Sequence, residues 1–464
     1  MFQTFKNAWK VPELRKKILF TLIIILLYRI GANLFVPYVN VEMIDSYTGM
    51  TSGFFGMLSL MSGEAFGNAT FFALSVSPYI TASIVMQLLT IAIPALERMS
   101  KDEDGKKKIA TATRWVTVGL AIITAYGYVN MLDSAQVYNT GVHDPALNLL
   151  VDQADAGSPT RVFAWFVMIT CFCAGASLIM WLAEKINDHG IGNGISIILF
   201  ANILSGLNPT IERMIDWFYV HSDYYGNRVE LVSGTGWIKP IVMTVISVAL
   251  TLGAIVLIIW FINSERRIKV IYAKKVVGRK MYGGQKTNLP LKMNMAGVMP
   301  VIFASSIVSI PMTIAGFISV NNPEAPFVKF VENWLSSTTP IYVILFVALI
   351  FAFSYFYIAI SFNPVEVANN IRNNGGAIIG IRPQEMAPFI KKILNRVTLM
   401  GAVFLAVIAG VPAIVGAIPA ITKLGFDSIA FTGTSLLIVV GVALETVRDL
   451  EAQLSMRNYK GFLD

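Results

Sequence analysis

Apolar residues along this chain come in long unbroken runs, not in the short alternations of a soluble sheet or the stripes of a surface helix. Windows of spanning length fall at 18–36, 74–94, 112–131, 162–183, 192–208, 237–262, 295–319, 340–362, 397–420 and 428–447. A helix of roughly 20 apolar residues crosses a bilayer core of about 30 Å. A span in lipid must satisfy its own backbone hydrogen bonds, so all ten windows are expected to be helices. A different kind of segment, FFGMLSLMSGEAFGN from Phe54 to Asn68, lies just ahead of the second window. It is apolar but broken by Gly56, Gly63 and Gly67, carries Glu64, and is too short to cross. Glycines permit hinging and close packing, and Ser59, Ser62, Glu64 and Asn68 tolerate water. From the residues alone, a stopper in an aqueous vestibule and an ordinary re-entrant or external amphipathic helix remain equally open.

Cutting the chain after the fifth window gives two halves, 1–208 and 209–464, with five spans each. An odd number forces the halves into opposite orientations, the arrangement of an inverted repeat. The second span of each half carries proline: Pro78 in one, Pro300 and Pro311 in the other. Interrupted spans at matching positions point to a central pathway. The expected fold class is therefore all-α: ten transmembrane helices in two inverted five-helix halves.

Composition agrees. Hydrophobic residues make up 55% and charged residues 14%, where a soluble chain carries about a quarter charged. The net charge of +8 is unevenly placed. Basic residues crowd the N-terminal segment (Lys6 to Lys17) and the connections after spans two, six and eight, while HDPALNLLVDQADAG on the other side is acidic. The positive-inside rule then puts both termini in the cytoplasm. The opening MFQTFKNAWKVPELRKK superficially resembles a signal peptide, but its apolar run is too long and lacks a cleavage site, so a retained first span is expected. Cys171 and Cys173 form no disulfide framework, and His143, His189 and His221 are far apart, so neither a metal nor a catalytic triad is indicated.

No enzyme signature emerges. GRKMYGGQKT half-resembles a phosphate loop, but Gln285 stands where the glycine belongs. HGIGNGISI opens the fifth span and reads as a turn and helix start. Gradient-driven carriers need ionisable groups at mid-membrane. Here Arg29 lies toward the outer end of span one, placed to snorkel, and Glu445 lies at the inner end of span ten. The strongest positive feature follows span six: ERRIKVIYAKKVVGRKMYGGQKTNLPLK, nine basic residues interleaved with Val, Ile and Tyr. Alternation in RIKVIYA predicts a β-hairpin. Lipid-headgroup contact and a docking prong for an acidic or RNA-bearing partner both fit it.

YRIGANLFVP, SPYITASIVMQLLT, GIGNGISIILFANI, RRIKVIYAKK, NLPLKMNMAGVMPVIFASSI, SFNPVEVANNIRNNGGAIIGIRP and GTSLLIVVGVALET follow one another along nearly the whole chain. In this order they resemble the SecY/Sec61-alpha family, the central channel subunits of the Sec protein translocase. The resemblance implies a central pore between the halves and a short plug helix over about 56–70, including Gly56, Met57, Leu58, Leu60, Met61 and Phe66. It implies a pore ring of Val76, Ile80, Ile195, Leu199, Ile302 and Ile438, positions that on their own read as ordinary core or lipid-facing aliphatics. It implies a lateral gate bearing Thr81, Ser83, Gln87, Asn294, Ser305 and Ser306. Arg266, Arg267, Lys274, Lys275 and Arg279 in the loop at about 263–294, and Arg382 in the loop at about 363–396, would dock the SecA ATPase and the ribosome. Gly380 and Pro383 would hold Arg382 at a fixed turn.

The implied partners are the SecE and SecG subunits, SecA, the ribosome, a translocating polypeptide with its signal sequence, and the lipid bilayer. SecDF and YidC stand in a wider circle. Neither a metal nor any other cofactor is expected, and the expected function is a non-enzymatic protein-conducting channel of the bacterial plasma membrane. The competing class, a secondary transporter of a small solute, requires a charged or ligand-shaped pocket at mid-membrane, which the sequence does not offer.

Overall fold

The computed structural model describes residues 2–39, 59, 62–140, 159–206, 238–272, 275–277, 280–282, 286–319, 322, 324–335, 339–416 and 427–460. Among these, each of the ten apolar windows holds a helix. They are α2 (Pro12–Gly31), α3 (Ser77–Ala92), α5 (Glu103–Thr140), α6 (Pro159–His189), α7 (Gly194–Ser205), α8 (Ile238–Asn263), α9 (Met299–Ser319), α11 (Pro340–Ser361), α13 (Met386–Gly416) and α14 (Asp427–Lys460). Shorter helices lie between or before them: α1 (Phe2–Lys10), α4 (Pro94–Lys101), α10 (Pro326–Leu335) and α12 (Pro364–Asn373). By length and composition, among the described residues α5, α6, α9, α11 and α13 can each cross a membrane, and the bent pair α3–α4 is apolar enough to be a broken span or a re-entrant loop.

Prolines open many of these helices: Pro12, Pro94, Pro159, Pro326, Pro340 and Pro364 each occupy the first position. There the missing amide costs nothing and the fixed φ favours the helix. The same rule alters the expectation for span two. Pro78 sits in the first turn of α3 and breaks nothing. The interruption comes at Ile93, held extended (φ −110, ψ 110) ahead of Pro94, where α3 and α4 meet at 106°. A residue before proline is pushed out of the helical region. In span seven, α9 runs through Pro311 to Ser319.

The chain forms two compact units. The first comprises 1–247, 306–342 and 442–464. Its core centres on Tyr128 of α5, whose ring lies 4.6 Å from Phe66 and 5.1 Å from Phe172 of α6, with Met168, Leu132 and Ala125 fully enclosed around it. Helices in lipid gain little from hydrophobic transfer and associate through close packing, which favours small residues. At Gly175 of α6 the carbonyl of Phe71 comes so near that a methyl group would collide with it. A second cluster joins Ala8, Leu14, Ile18 and Ile191 to Leu450 near the end of α14. Lys17 Nζ donates to Gln453 there at 3.1 Å, and Thr4 Oγ1 to Glu451 at 3.0 Å.

The second unit comprises 248–305 and 343–441. The predicted hairpin forms from β1 (Glu265–Tyr272) and β4 (Lys286–Lys292), antiparallel, with Ile268 opposite Leu289 and Val270 opposite Thr287. Between them β2 (Lys275–Val277) pairs with β3 (Lys280–Tyr282). The sequence reading did not anticipate β5 (Gly376–Ile378), which leaves the connection after α11 and pairs with the far edge of β1, Val270 opposite Ile378. The sheet order is β4-β1-β5. Its inner face, Ile268, Val270, Leu291 and Ile378, packs on Ala368 and Ile371 of α12 and on Met386 and Ile390 of α13. Asn363 caps α12 by accepting from the Val365 and Glu366 amides at 3.1 and 3.4 Å, as N-cap asparagines do.

Replacing Ile378 with Asp places a charge among these buried apolar groups. β5 should detach from β1, and limited proteolysis within 376–386 should quicken several-fold while helix content by circular dichroism is unchanged. Equal cleavage rates would mean that β5 pairing is not what holds this segment.

Candidate functional site

The segment preceding α3 is irregular backbone between two spans. Of the plug expected over 56–70, Gly56, Met57, Leu58, Leu60 and Met61 lie outside the described residues. Ser59 and 62–70 are described, and from Ser62 onward the chain runs in consecutive turns instead of a helix. A helix cannot continue here, because Gly63 (φ +65), Glu64 (φ +71), Ala69 (φ +46) and Ser75 (φ +51) take left-handed conformations. Side chains visit that region at a cost.

Other bonds compensate. The Ser62 hydroxyl accepts from the Phe66 amide at 2.9 Å, and the Glu64 amide donates to the Ser59 carbonyl at 2.8 Å. The Tyr128 hydroxyl donates to the Phe66 carbonyl. The strand-like stretch after α2 supplies the rest: the Phe71 amide donates to Leu34 O at 2.7 Å and the Val36 amide to Ala69 O at 3.4 Å.

The first span builds the seat for these turns. Tyr28, fully buried, stacks on Phe72 at 5.3 Å with planes 10° apart. Arg29 does not snorkel to water as expected. Its guanidinium turns inward and hydrogen-bonds Ser205 Oγ of α7. Arg29 Nη1 is buried and has no acceptor among the described residues. A Cβ at Gly63 would stand 3.0 Å from that nitrogen and 3.1 Å from the Asn202 carbonyl. Asn202, wholly buried in α7, donates from Nδ2 to Ser75 Oγ at 3.2 Å. An unpaired buried donor costs about 1–3 kcal/mol, more when charged. The segment is therefore well packed yet held at an electrostatic cost.

The ring positions are spread over both units. In the first, Val76 and Ile80 lie at the start of α3, both buried, and Leu199 is buried on α7 while Ile195 is partly exposed. The GIGNG corner ahead of α7 is the helix start the sequence indicated: Asn193 caps it, accepting from Ile195 N at 3.1 Å, and Gly194 N donates to Asn187 Oδ1 at 2.7 Å. In the second unit, Ile302 and Ile438 are buried on α9 and α14. α14 comes close to the residue just ahead of α9, where a Cβ at Gly441 would run into Val298. Ile438 stands one turn before Gly441 on α14, and the Ile302 amide donates to the Val298 carbonyl at 3.3 Å.

Three of the expected gate residues donate local hydrogen bonds. Gln87 Nε2 donates to Ser83 Oγ one turn earlier on α3 at 3.2 Å, Ser305 Oγ donates to Ile302 O at 2.9 Å, and Asn294 Nδ2 to Gly297 O at 2.9 Å. Thr81 is half-buried on α3, and Ser306 is buried on α9.

The cationic surface is clear on the sheet. Arg266, Arg267, Lys269 and Lys286 are exposed beside half-exposed Ile271. Arg267 Nε pairs with Glu265 at 2.6 Å. Arg382 is exposed in a turn closed by Glu385 N donating to its carbonyl at 2.9 Å, and Gly380 at φ +79 turns the chain out of β5. This is the fixed turn that Gly380 and Pro383 implied. Lys275 lies in β2, while Lys274 and Arg279 fall outside the described residues.

Two parts of the site escaped sequence reasoning. The Arg29–Ser205–Asn202 seat was signalled by polar residues inside apolar runs, which are costly and rarely idle. The β5 edge was signalled by the glycine-bracketed trio in GGAIIG.

A family model described as SecY matches residues 70–447. The chain is 40% identical over 471 residues to a protein translocase subunit SecY of Streptomyces galbus, with all of both chains covered. It is 38% identical to that of Bacillus subtilis, again over all of both chains, and 37% identical to that of Thermus thermophilus, covering 98% of the latter. Among solved structures, one described as a protein conducting channel superposes with a TM-score of 0.62 at 17% identity, covering 96% of each chain. Sec61 in a canine ribosome–channel complex gives 0.59 at 17%, also covering 96% of each. At that identity the structures speak to the fold alone.

Gly63→Ala tests the seat. An alanine pays about 1–2 kcal/mol for the left-handed conformation before meeting Arg29 and Asn202. Amide hydrogen exchange at 64–70 should accelerate about 5- to 30-fold, with α5 and α6 unaffected. Unchanged protection there would remove Gly63 from the seat.

Proposed function

This chain belongs to the SecY family, and on that premise we propose that it is the pore subunit of a protein translocase, conducting unfolded polypeptides across the bacterial plasma membrane and releasing hydrophobic segments sideways into lipid. The observation that carries the reading is the seat of 62–76: a non-helical segment packed between spans, closely fitted yet set against an Arg29 nitrogen that has no acceptor among the described residues. A permanent structural element gains nothing from that cost. A stopper that must leave on demand gains a lower barrier to release.

In this reading the ten helices form two inverted halves around the pore, with both termini cytoplasmic. Val76, Ile80, Ile195, Leu199, Ile302 and Ile438 form the constriction. Branched aliphatic side chains make a neck that dewets and impedes ions, and they offer a threaded backbone no fixed partner, so any sequence slides through. Thr81, Ser83, Gln87, Asn294, Ser305 and Ser306 line the seam of the gate. Hydrogen bonds between membrane helices are worth about 0.6 kcal/mol each. A signal sequence gains about 0.3–0.6 kcal/mol per central Leu, Ile, Phe or Val and outweighs several such bonds. The channel has no catalytic step of its own. Its driving force comes from partners, SecA or the ribosome, docked on Arg266, Arg267, Lys274, Lys275, Arg279 and Arg382, with SecE and SecG completing the assembly and SecDF and YidC joining it.

Two experiments test this. Ile302→Asn wets the neck: reconstituted vesicles should show raised resting ion conductance, and substrates with defective signal sequences should be exported. A variant as tight and selective as the parent would refute the ring. Arg382→Glu reverses the charge at the docking turn, and motor-driven export into vesicles should fall at least tenfold, about 1.4 kcal/mol, with the protein still folded. Export at the parental rate would refute the docking role.

A further inference from the structure

α10, between α9 and α11, divides into three sectors at 3.6 residues per turn. Val328 and Val331 are buried against the protein, with Leu335 half-buried beside them. Lys329, Glu332 and Asn333 are exposed on the far side, and Lys329 pairs with Glu324. Between these two sectors Phe327, Phe330 and Trp334 stand 41%, 54% and 50% exposed, with Phe330 and Trp334 stacked at 6.4 Å.

Three large aromatic side chains in one exposed row need cover, and the chain's own geometry indicates by what. Six residues separate α10 from α9 and four separate it from α11. Extended chain reaches only about 20 Å and about 14 Å over those lengths. The helix is thereby confined to the level where two spans leave the bilayer. On α9, Ile310, Ile314 and Ile318 are exposed at intervals of four, a single apolar row running toward the α10 end of that helix. Ile341, at the start of α11, is exposed as well. Aromatic residues with a polar flank favour the membrane–water boundary, and helices with one apolar and one charged face lie in its plane.

We propose that α10 is an interfacial anchor: its aromatic row enters the headgroup–acyl boundary of the lipid bilayer, its valines rest on the protein, and its polar row faces water. This rests on α9 and α11 spanning the membrane, not on the channel reading. It makes the outer end of α9 a tethered end.

The test uses the full chain, assembled with its companion subunits in phosphatidylethanolamine–phosphatidylglycerol vesicles, with Cys171 and Cys173 replaced by alanine. Spin labels are placed one at a time through Phe330→Cys, Trp334→Cys, Lys329→Cys and Asn333→Cys. Labels at 330 and 334 should collide several-fold more often with oxygen than with a water-soluble nickel complex, and labels at 329 and 333 should show the reverse. Nickel access at 330 and 334 equal to that at 329 would put the aromatic row in water. Immobilised labels there, shielded from both reagents, would mean that a protein partner covers it. Either result overturns the anchor.

Discussion

Backbone that leaves the helical conformation between membrane spans must find hydrogen-bond partners within the protein. The turns before α3 find theirs in the stretch after α2, through Leu34, Val36 and the bridge from Phe35 to Thr70, and in the hydroxyls of Ser62 and Tyr128. Packing adds to those bonds: Tyr28 of the first span stacks on Phe72, and Arg29 beside it hydrogen-bonds Ser205. Around Phe66, α5 and α6 bury an aromatic cluster, and these side chains are the walls of a socket. The socket fits its occupant in shape and only partly in charge.

The same economy governs the second unit. Two connections rich in basic residues would repel one another if both were free in water. Their apolar alternate positions, Ile268 and Val270 on one and Ile378 on the other, bury together on α12 and α13 and turn the charges outward. Arginines and lysines are thus displayed from a sheet with a core of its own, where each cation has a fixed position.

Much of this was legible in the chain itself. Ten apolar runs became ten helices because lipid leaves an apolar run no alternative. The hairpin was visible because RIKVIYA alternates with period two. The proline signal misled at one position: Pro78 was read as an interruption, yet in a first turn proline interrupts nothing, and Pro94 does the bending. The sequence motifs resembled those of the SecY family, which implied a short helix ahead of α3, but from Ser62 onward the chain runs in turns. Positive φ at Glu64, Ala69 and Ser75 is a choice among tertiary contacts that no local pattern encodes. Arg29 was misjudged for a similar reason. A long cation near a helix end can reach water, and whether it does depends on a serine and a glycine far away in the chain.

β1 is hydrogen-bonded along both edges, to β4 over seven residue pairs and to β5 over three. A load applied along β1 therefore shears many bonds at once instead of peeling them one after another. Because α8 runs into β1 across a single residue, Ser264, the sheet behaves as a stiff handle on that helix, and the strand ladder sets how much pull it bears before it gives way.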